Sequence, residues 1–408
     1  MIFGKKGVVK IGRTRVALFS GLLLILVLLL PSVSAAPPIR PKPTLTLTSP
    51  AGPNSSQFGI SVAAADGIEV ISSIDSLWGN AYIFSSTGSL NANLTSPNAG
   101  FCQPGNANAP CGAFGYAIAT NGTSVFVSAP DEAAGGILEA GHVYVFSSIG
   151  ALKSTLTSPN PQRLGVFGTA LAASGNTLVV GASGENASGL QSAGHVYVYN
   201  AGLLAATLAS PNPQTNGGIG GSGVAASGNR VAVAAPRETP GHVYVYSTPG
   251  TLTTTITNSD ISISLNGTRL VVGSPFETAA GFSSAGHAYV YNTTGTLFST
   301  LTSPNAQANG KFGSSVAAGS ASIVVGAAGE IVANTQSGGH VYVYSATGSL
   351  ISTLTSPNTM GGGNGEAFGT SVSLVEFTGH RTVTVGASGS TVNGLMNRGR
   401  VYLYTMKS

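Results

Sequence analysis

The sequence predicts an all-β chain closed into a ring of seven four-stranded blades, a β-propeller, and three observations carry that prediction. A six-residue string, GHVYVY, stands at 194–199, 241–246 and 339–344, and recurs with one letter changed as GHVYVF at 141–146 and GHAYVY at 286–291. GNAYIF from Gly79 and GRVYLY from Gly399 are weaker copies, which makes seven, spaced 45 to 62 residues apart. Each interval holds four short runs of Val, Ile, Tyr, Phe and Thr, punctuated by Gly, Pro, Asn and Ser, the pattern of strands and turns. No window after the N-terminal segment carries an apolar stripe of period 3.6, so helix is expected to be nearly absent. Seven units of about fifty residues with four strands each is the arithmetic of a propeller.

The N-terminus stands apart. Lys5, Lys6, Lys10, Arg13 and Arg15 precede fifteen apolar or small residues, Val16 to Leu30, followed by Pro31 and the small run SVSAA. This reads as an export signal over 1–35 with a peptidase site at Val33-Ser34-Ala35. The alternative is an uncleaved anchor, because the stretch through Ala36 approaches the length that spans a bilayer. Residues 36–43 read as a Pro-rich linker, and 44–408 as one propeller.

The phase of the repeat predicts how the ring closes. A second motif follows each copy of the first except the last: NLTSPN at 93–98, TLTSPN at 155–160, TLASPN at 207–212, TITNSD at 255–260, and TLTSPN at 300–305 and 353–358. A seventh copy, TLTSP at 46–50, precedes the first repeat, whereas the chain ends just after Tyr404. Residues 44–50 are therefore expected to supply the outer strand of the last blade, hiding an edge otherwise open to intermolecular pairing. Within GHVYVY the period of two puts His and both Tyr on one face and both Val on the other, and a blade covered on both sides by its neighbours can bury both sets.

Composition limits the partners. Five of the 17 Lys and Arg lie before residue 36 and none of the 13 Asp and Glu do, so the remainder is nearly neutral and its basic overall charge says nothing about nucleic acid. Charged residues make up 7% of the chain, far below the roughly 25% usual for soluble domains, which implies a surface of hydroxyls and amides. Sequons at Asn54, Asn93, Asn121, Asn186, Asn266 and Asn292 could carry glycans on an exported chain. The two cysteines, Cys102 and Cys111, lie in one loop and are expected to form a local disulfide in an oxidising compartment. Trp78, the single tryptophan, reads as core.

The order Phe-Gly, then Gly-Ala-Pro, then Gly-x-Val-Tyr-Val-Phe resembles the FG-GAP repeat family, the sevenfold propeller of integrin α heads. Phe114-Gly115 with Ala129-Pro130, Phe167-Gly168 with Gly181-Ala182, Gly273-Ser274-Pro275, Phe312-Gly313 with Gly326-Ala327, and Phe368-Gly369 with Gly386-Ala387 carry the likeness, which covers residues 44 to about 405. It implies an exported, prokaryotic-type member with a role in surface binding or adhesion. Repeats depart from it at Ile219-Gly220, at SISISLNG in repeat five and at Ile71-Ser72-Ser73. The DxDxDG calcium loop common in the family is missing, so neither calcium nor another cofactor is expected. The loop with Asp131, Glu132 and Glu139 is the most acidic place for such an ion.

His142, His195, His242, His287 and His340 occupy one position in five blades, too far apart around a ring to share a metal, and are read as structural. Glu132, Glu185, Glu238, Glu277 and Glu330 recur before the same strand and are expected to pair with the histidine of their own blade. Gly218-x-Gly220-x-x-Gly223 is formally a dinucleotide fingerprint, but the run after it, VAAS, reads as a strand where the fingerprint needs a helix. Neither a nucleophile elbow nor zinc-type spacing occurs, and no catalytic residue is assigned. The reading is a secreted or surface-held, non-enzymatic propeller that binds an extracellular protein or glycan through loops 99–113, 131–140, 328–338 and 359–366. It meets a membrane only through an N-terminal anchor. An extracellular hydrolase or lyase, and a self-associating envelope component, are the competing classes.

Overall fold

Alternating β-branched and aromatic residues between glycine turns form strands because both faces of each strand find a neighbouring sheet to bury against. The computed structural model describes residues 41–51, 57–74, 79–98, 112–258, 262–332, 337–358 and 365–407. Among them there is no helix, and every sheet has four strands. The signal segment, most of the linker, Asn54, Trp78, Cys102 and Cys111 lie outside the described residues.

The first strand, β1 (Leu45–Leu47), belongs to the last blade. Blade 1 holds β2 (Val62–Ala65), β3 (Ile68–Ser73), β4 (Asn80–Ser85) and β5 (Leu90–Leu94); blade 2 holds β6 (Ile118–Thr120), β7 (Ser124–Ala129), β8 (His142–Ser147) and β9 (Leu152–Thr157). Blade 3 holds β10 (Phe167–Ser174), β11 (Thr177–Ala182), β12 (His195–Asn200) and β13 (Leu203–Leu208); blade 4 holds β14 (Val224–Ser227), β15 (Arg230–Ala235), β16 (His242–Ser247) and β17 (Thr251–Thr257). Blade 5 holds β18 (Ser262–Asn266), β19 (Arg269–Ser274), β20 (His287–Asn292) and β21 (Leu297–Thr302); blade 6 holds β22 (Phe312–Ala318), β23 (Ser322–Ala327), β24 (His340–Ser345) and β25 (Leu350–Thr355). Blade 7 is β26 (Phe368–Phe377), β27 (His380–Ala387) and β28 (Arg400–Lys407), completed by β1. The pairings Leu45↔Leu403, Thr46↔Tyr402 and Leu47↔Val401 close the ring as the phase of the repeat predicts.

The first strand of each blade packs against the first strands of both neighbours all the way round, so these seven line the centre. The core is not one body but seven inter-blade layers. Val196 and Val198 of β12 pack toward blade 4, with Ile219, Val231 and Val233, whereas Tyr197 and Tyr199 pack toward blade 2, with Phe126 and Val143. The seventh layer joins Leu47, Val401 and Leu403 to Phe58, Ile71 and Tyr82.

Glycines set how closely the blades approach. Gly141 has φ +85°, and a Cβ there would lie 2.2 Å from the Phe167 carbonyl oxygen of the next blade; at Gly339 the distance to the Phe368 oxygen is 2.1 Å. The Gly-Ala glycine of one blade likewise meets the Phe-Gly glycine of the next: a Cβ on Gly326 would lie 2.3 Å from Gly369 O, and on Gly386 2.0 Å from Gly59 O. Three backbone hydrogen bonds run across the same joint, as in Leu164 N to Leu138 O, Val166 N to Glu139 O and Phe167 N to Ala140 O. Gly141→Ala is expected to cost about 3 kcal/mol or more, because backbone atoms must move. Gly175→Ala, at a turn with φ +54° and nothing within 4 Å, should cost about 1 kcal/mol. Urea unfolding of the two variants measures the difference.

One buried acid lies at the ring-closing joint. Glu69 on β3 is 3% exposed and accepts a 2.7 Å hydrogen bond from Thr384 Oγ1 of blade 7. It borders a cavity of about 240 Å³ lined also by Ser86, Phe377, Thr382 and Thr405, with no basic side chain. Burial raises its carboxyl to about 7, the Thr384 bond opposing this only in part. Between the ordinary carboxyl range and about 7 the folded chain keeps a proton that the unfolded chain has released, so stability falls as pH rises through this window. Glu69→Gln, neutral at every pH, is expected to remove a decline of up to about 3 kcal/mol between pH 5 and 8. Parallel stability–pH curves for wild type and variant would sink this account.

Candidate functional site

The recurrent polar residues converge at the joints between blades. After the outer strand of blade 2, Ser158 reaches into blade 3, where its hydroxyl donates to Glu185, which also accepts from Tyr197 OH at 2.6 Å and pairs with His195 Nδ1 at 2.9 Å. Ser210, Glu238, Tyr244 and His242 repeat this in blade 4, and Ser303, Glu330, Tyr342 and His340 in blade 6. In blade 2, Glu132 accepts from Ser96 and Tyr144 and pairs with His142 at 3.1 Å. Burial alone would raise the Glu132 carboxyl, but its bonds to His142, Ser96 and Tyr144 outweigh that and hold it below the ordinary range. Burial, and then the bond to the carboxylate, push the Tyr144 phenol well up. Each carboxylate thus finds the donors that make its burial tolerable.

The variants follow the same logic. In blade 5, Glu277 keeps His287 at 2.9 Å and Tyr289 at 2.6 Å, but Asn258 stands where the others have Ser, and the Glu277 side chain is 40% exposed. Blade 7 has Ser390 and Arg400 in place of Glu and His, and a different residue, Glu366, brings the carboxylate. Glu366 stands where other blades have Gly165 and Gly310, whose Cβ positions lie 3.2 Å from the Cγ of Glu185 and of Glu330. Burial raises the Glu366 carboxyl, partly opposed by Ser356, Arg400 and Asn358. Pairwise spacing in the sequence could not find this residue, because the pocket is filled from another loop. Ser49, just after β1, reaches Tyr82 OH at 3.4 Å and so carries the joint across the closure.

These joints leave the histidines one per blade. Among the described residues no three His, Cys, Asp or Glu side chains converge as a metal-ligating set. In the acidic loop Glu132 is turned inward, while burial first, and then the charge of Glu139, raise the Asp131 carboxyl. The glycine fingerprint at Gly218 runs into the strand β14. Asn93, Asn186 and Asn266 are exposed, Asn292 is half-buried, and Asn121 is half-buried with its amide nitrogen donating to Gly175 O at 2.7 Å.

The surface that varies between blades is the rim carrying the second-to-third-strand loops and the crossovers between blades. Ala134–Ile137, Ala187–Leu190, Ala279–Phe282 and Val392–Leu395 each form a small hairpin, with both central residues at positive φ, as in Asn393 (+51°) and Gly394 (+78°). This is type I′ geometry, and the recurring x-Gly pair was its sequence signal, which the strand motifs overshadowed. Leu138, Leu164, Phe276, Phe282, Ile331 and Met396 stand exposed on this rim, Phe276 at 60% and Met396 at 59%. Loop 131–140 is fully described, whereas 99–111, 333–336 and 359–364 lie outside the described residues. At the central mouth a cavity of about 620 Å³ opens between blades 5, 6, 7 and 1.

Residues 152–199 and 296–344 match the FG-GAP repeat family. Each match begins at the outer strand of one blade or one residue before it and ends on the third strand of the next, so the family repeat spans the joint described above. A solved structure, the Neurospora crassa Pan2 WD40 domain, is similar with a TM-score of 0.53 at 9% identity, over 89% of this chain and 94% of that one, a likeness in fold alone. A search of curated proteins finds no match. The chain is a seven-bladed propeller in which two segments match the FG-GAP repeat, an arrangement consistent with an FG-GAP propeller. Such a fold supports protein binding in general, and these repeats are typical of extracellular or surface proteins.

The joints make a quantitative prediction. Glu185→Ala leaves His195, Tyr197 and Ser158 without their buried acceptor and is expected to cost about 3–5 kcal/mol. Glu277→Ala, at the half-open joint, should cost about 1 kcal/mol or less. Equal losses on chemical denaturation would contradict this account.

Proposed function

We propose that the protein is a secreted or surface-held, non-enzymatic binding propeller, whose rim of second-to-third-strand loops and crossovers docks an extracellular protein or glycan. The observation that carries this reading is the contrast between frame and rim. The repeated His, Glu, Tyr and Ser are committed to the joints, while the loops that differ from blade to blade raise exposed Leu138, Phe282, Leu395 and Met396 on a scaffold held by backbone ladders. Exposed apolar side chains that recur on the loops of one face suit an interaction surface. The export signal read from residues 1–35 supports a location outside the cytoplasm, and the absent DxDxDG loop supports binding without calcium.

The test is binding of the purified protein to an array of glycans and extracellular proteins, in calcium and in chelator. A saturable hit is expected, unchanged by the chelator and weakened about tenfold or more by Leu138→Ser on blade 2 or by Phe282→Ser on blade 5, whichever loop makes the apolar contact. Silence across the array, or a hit indifferent to both rim substitutions, would overturn the assignment.

A further inference from the structure

We propose that the central mouth between blades 5 and 7 is a binding site for a carboxylate-bearing saccharide, with Lys311 receiving the carboxylate. The proposal rests on the binding reading above and names the ligand chemistry at one place on that rim.

The repeat departs from its pattern beside this cavity. The crossover into blade 5, from Thr257 to Ser262, has four intervening residues, whereas those from Thr157 to Phe167 and from Thr302 to Phe312 have nine. In blades 3 and 6 the second position after the second strand is Gly184 or Gly329, where a Cβ would lie 1.8 Å from Leu164 O and 2.0 Å from Asn309 O. Blade 5 carries Phe276 at that position, and its ring stands exposed on the cavity wall.

The facing residue is also an exception. Immediately before the Phe-Gly position the other blades carry Gln57, Ala113, Val166, Gly218 and Ala367, all uncharged; blade 6 carries Lys311. Its backbone is pinned at φ +56° by a 3.0 Å hydrogen bond from its N–H to Ser284 O, and its Nζ lies 6.0 Å from the Phe276 ring centre. No other charged side chain is among the described residues that line the cavity.

Those features select a chemical class. One ammonium without a guanidinium fork or a helix N-terminus suits a single negative charge better than a phosphate. Ser314, Thr370, Ser388, Gln57 and Asn397 add hydroxyls and amides, which both donate and accept as sugar hydroxyls do, among apolar residues such as Ile60, Pro275 and Ala328 on which a sugar ring can lie. An acidic peptide would call for a second cation or a free strand edge, but the inner strands at this mouth, β22 and β26, are already paired along one side and packed between neighbouring blades on the others. A cavity of about 620 Å³ suits the end of an oligosaccharide rather than a folded domain.

Calorimetric titration of the purified protein with trigalacturonate, its methyl ester and a tri-aspartate peptide tests this. Saturable binding of the free acid is expected, weakened about tenfold or more by esterification, by Lys311→Gln and by Phe276→Ala, and reduced by salt. Lys311 is exposed, so Lys311→Gln should keep the wild-type melting curve. Equal binding of the methyl ester, or an unaffected Lys311→Gln, would overturn the role of the charge, and equal binding of the peptide would overturn the saccharide class. No binding of any probe also overturns the proposal. In that case an array partner still sensitive to the Leu138 or the Phe282 substitution would leave the binding reading in place, whereas loss of both would remove the two together.

Discussion

The structure depends on backbone meeting backbone between consecutive blades. Gly326 lies against Gly369, Gly386 against Gly59 and Gly141 against the Phe167 carbonyl, at separations that admit no Cβ. Every other feature of the joint follows from that approach: the three-bond ladder, the buried Phe that begins each regular blade, and the alternation that sends Val one way and Tyr the other. The exceptions obey the same rule. Where blade 1 or 2 has Ser72 or Ser128 at the Gly-Ala position, the facing Gly115 or Gly168 is kept; where blade 5 has lost Phe-Gly, blade 4 carries Ala234.

A joint this close must also satisfy its polar groups, and that explains where much of the sparse charge goes. With 13 Asp and Glu in 408 residues, the chain places Glu132, Glu185, Glu238, Glu330 and Glu366 in buried inter-blade pockets. A carboxylate in such a pocket is stable only when several donors converge on it, which is why Ser, His and Tyr recur with it as a set. The acid's place in the chain can change, as when Glu366 enters the pocket of blade 7 from another loop, near Ser356, Asn358 and Arg400. The serine that follows an outer strand belongs to the next blade's cluster and ties the two blades together, at every joint but the one into blade 5, where Asn258 replaces it. Ser49 does the same across the closure, where β1 adds its pairing with β28 to the contacts between blades 7 and 1.

A frame so regular makes its irregularities informative. The rim loops share one tight hairpin and one ladder, and differ in the residues these present. The mouth carries two residues that the repeat does not have elsewhere, Phe276 and Lys311, in adjacent blades. Rigidity in the frame lowers the ordering cost of such a surface when it binds.

The sequence by itself determined the architecture: strand type from alternation, blade number from the count of GHVYVY, and the closing strand from the orphan TLTSP. Those are legible because side-chain alternation and turn chemistry act over a few residues, and a repeat prints them many times. The pairing of each glutamate with its histidine was legible too, since both lie on one short loop and strand. Only the tertiary structure decided which glycine faces which carbonyl, that the serine joins the next blade, that Glu366 substitutes for a missing acid, and that Lys311 stands over Phe276. Each of these is a contact between blades, whose partners are set by how the ring closes and not by spacing along the chain.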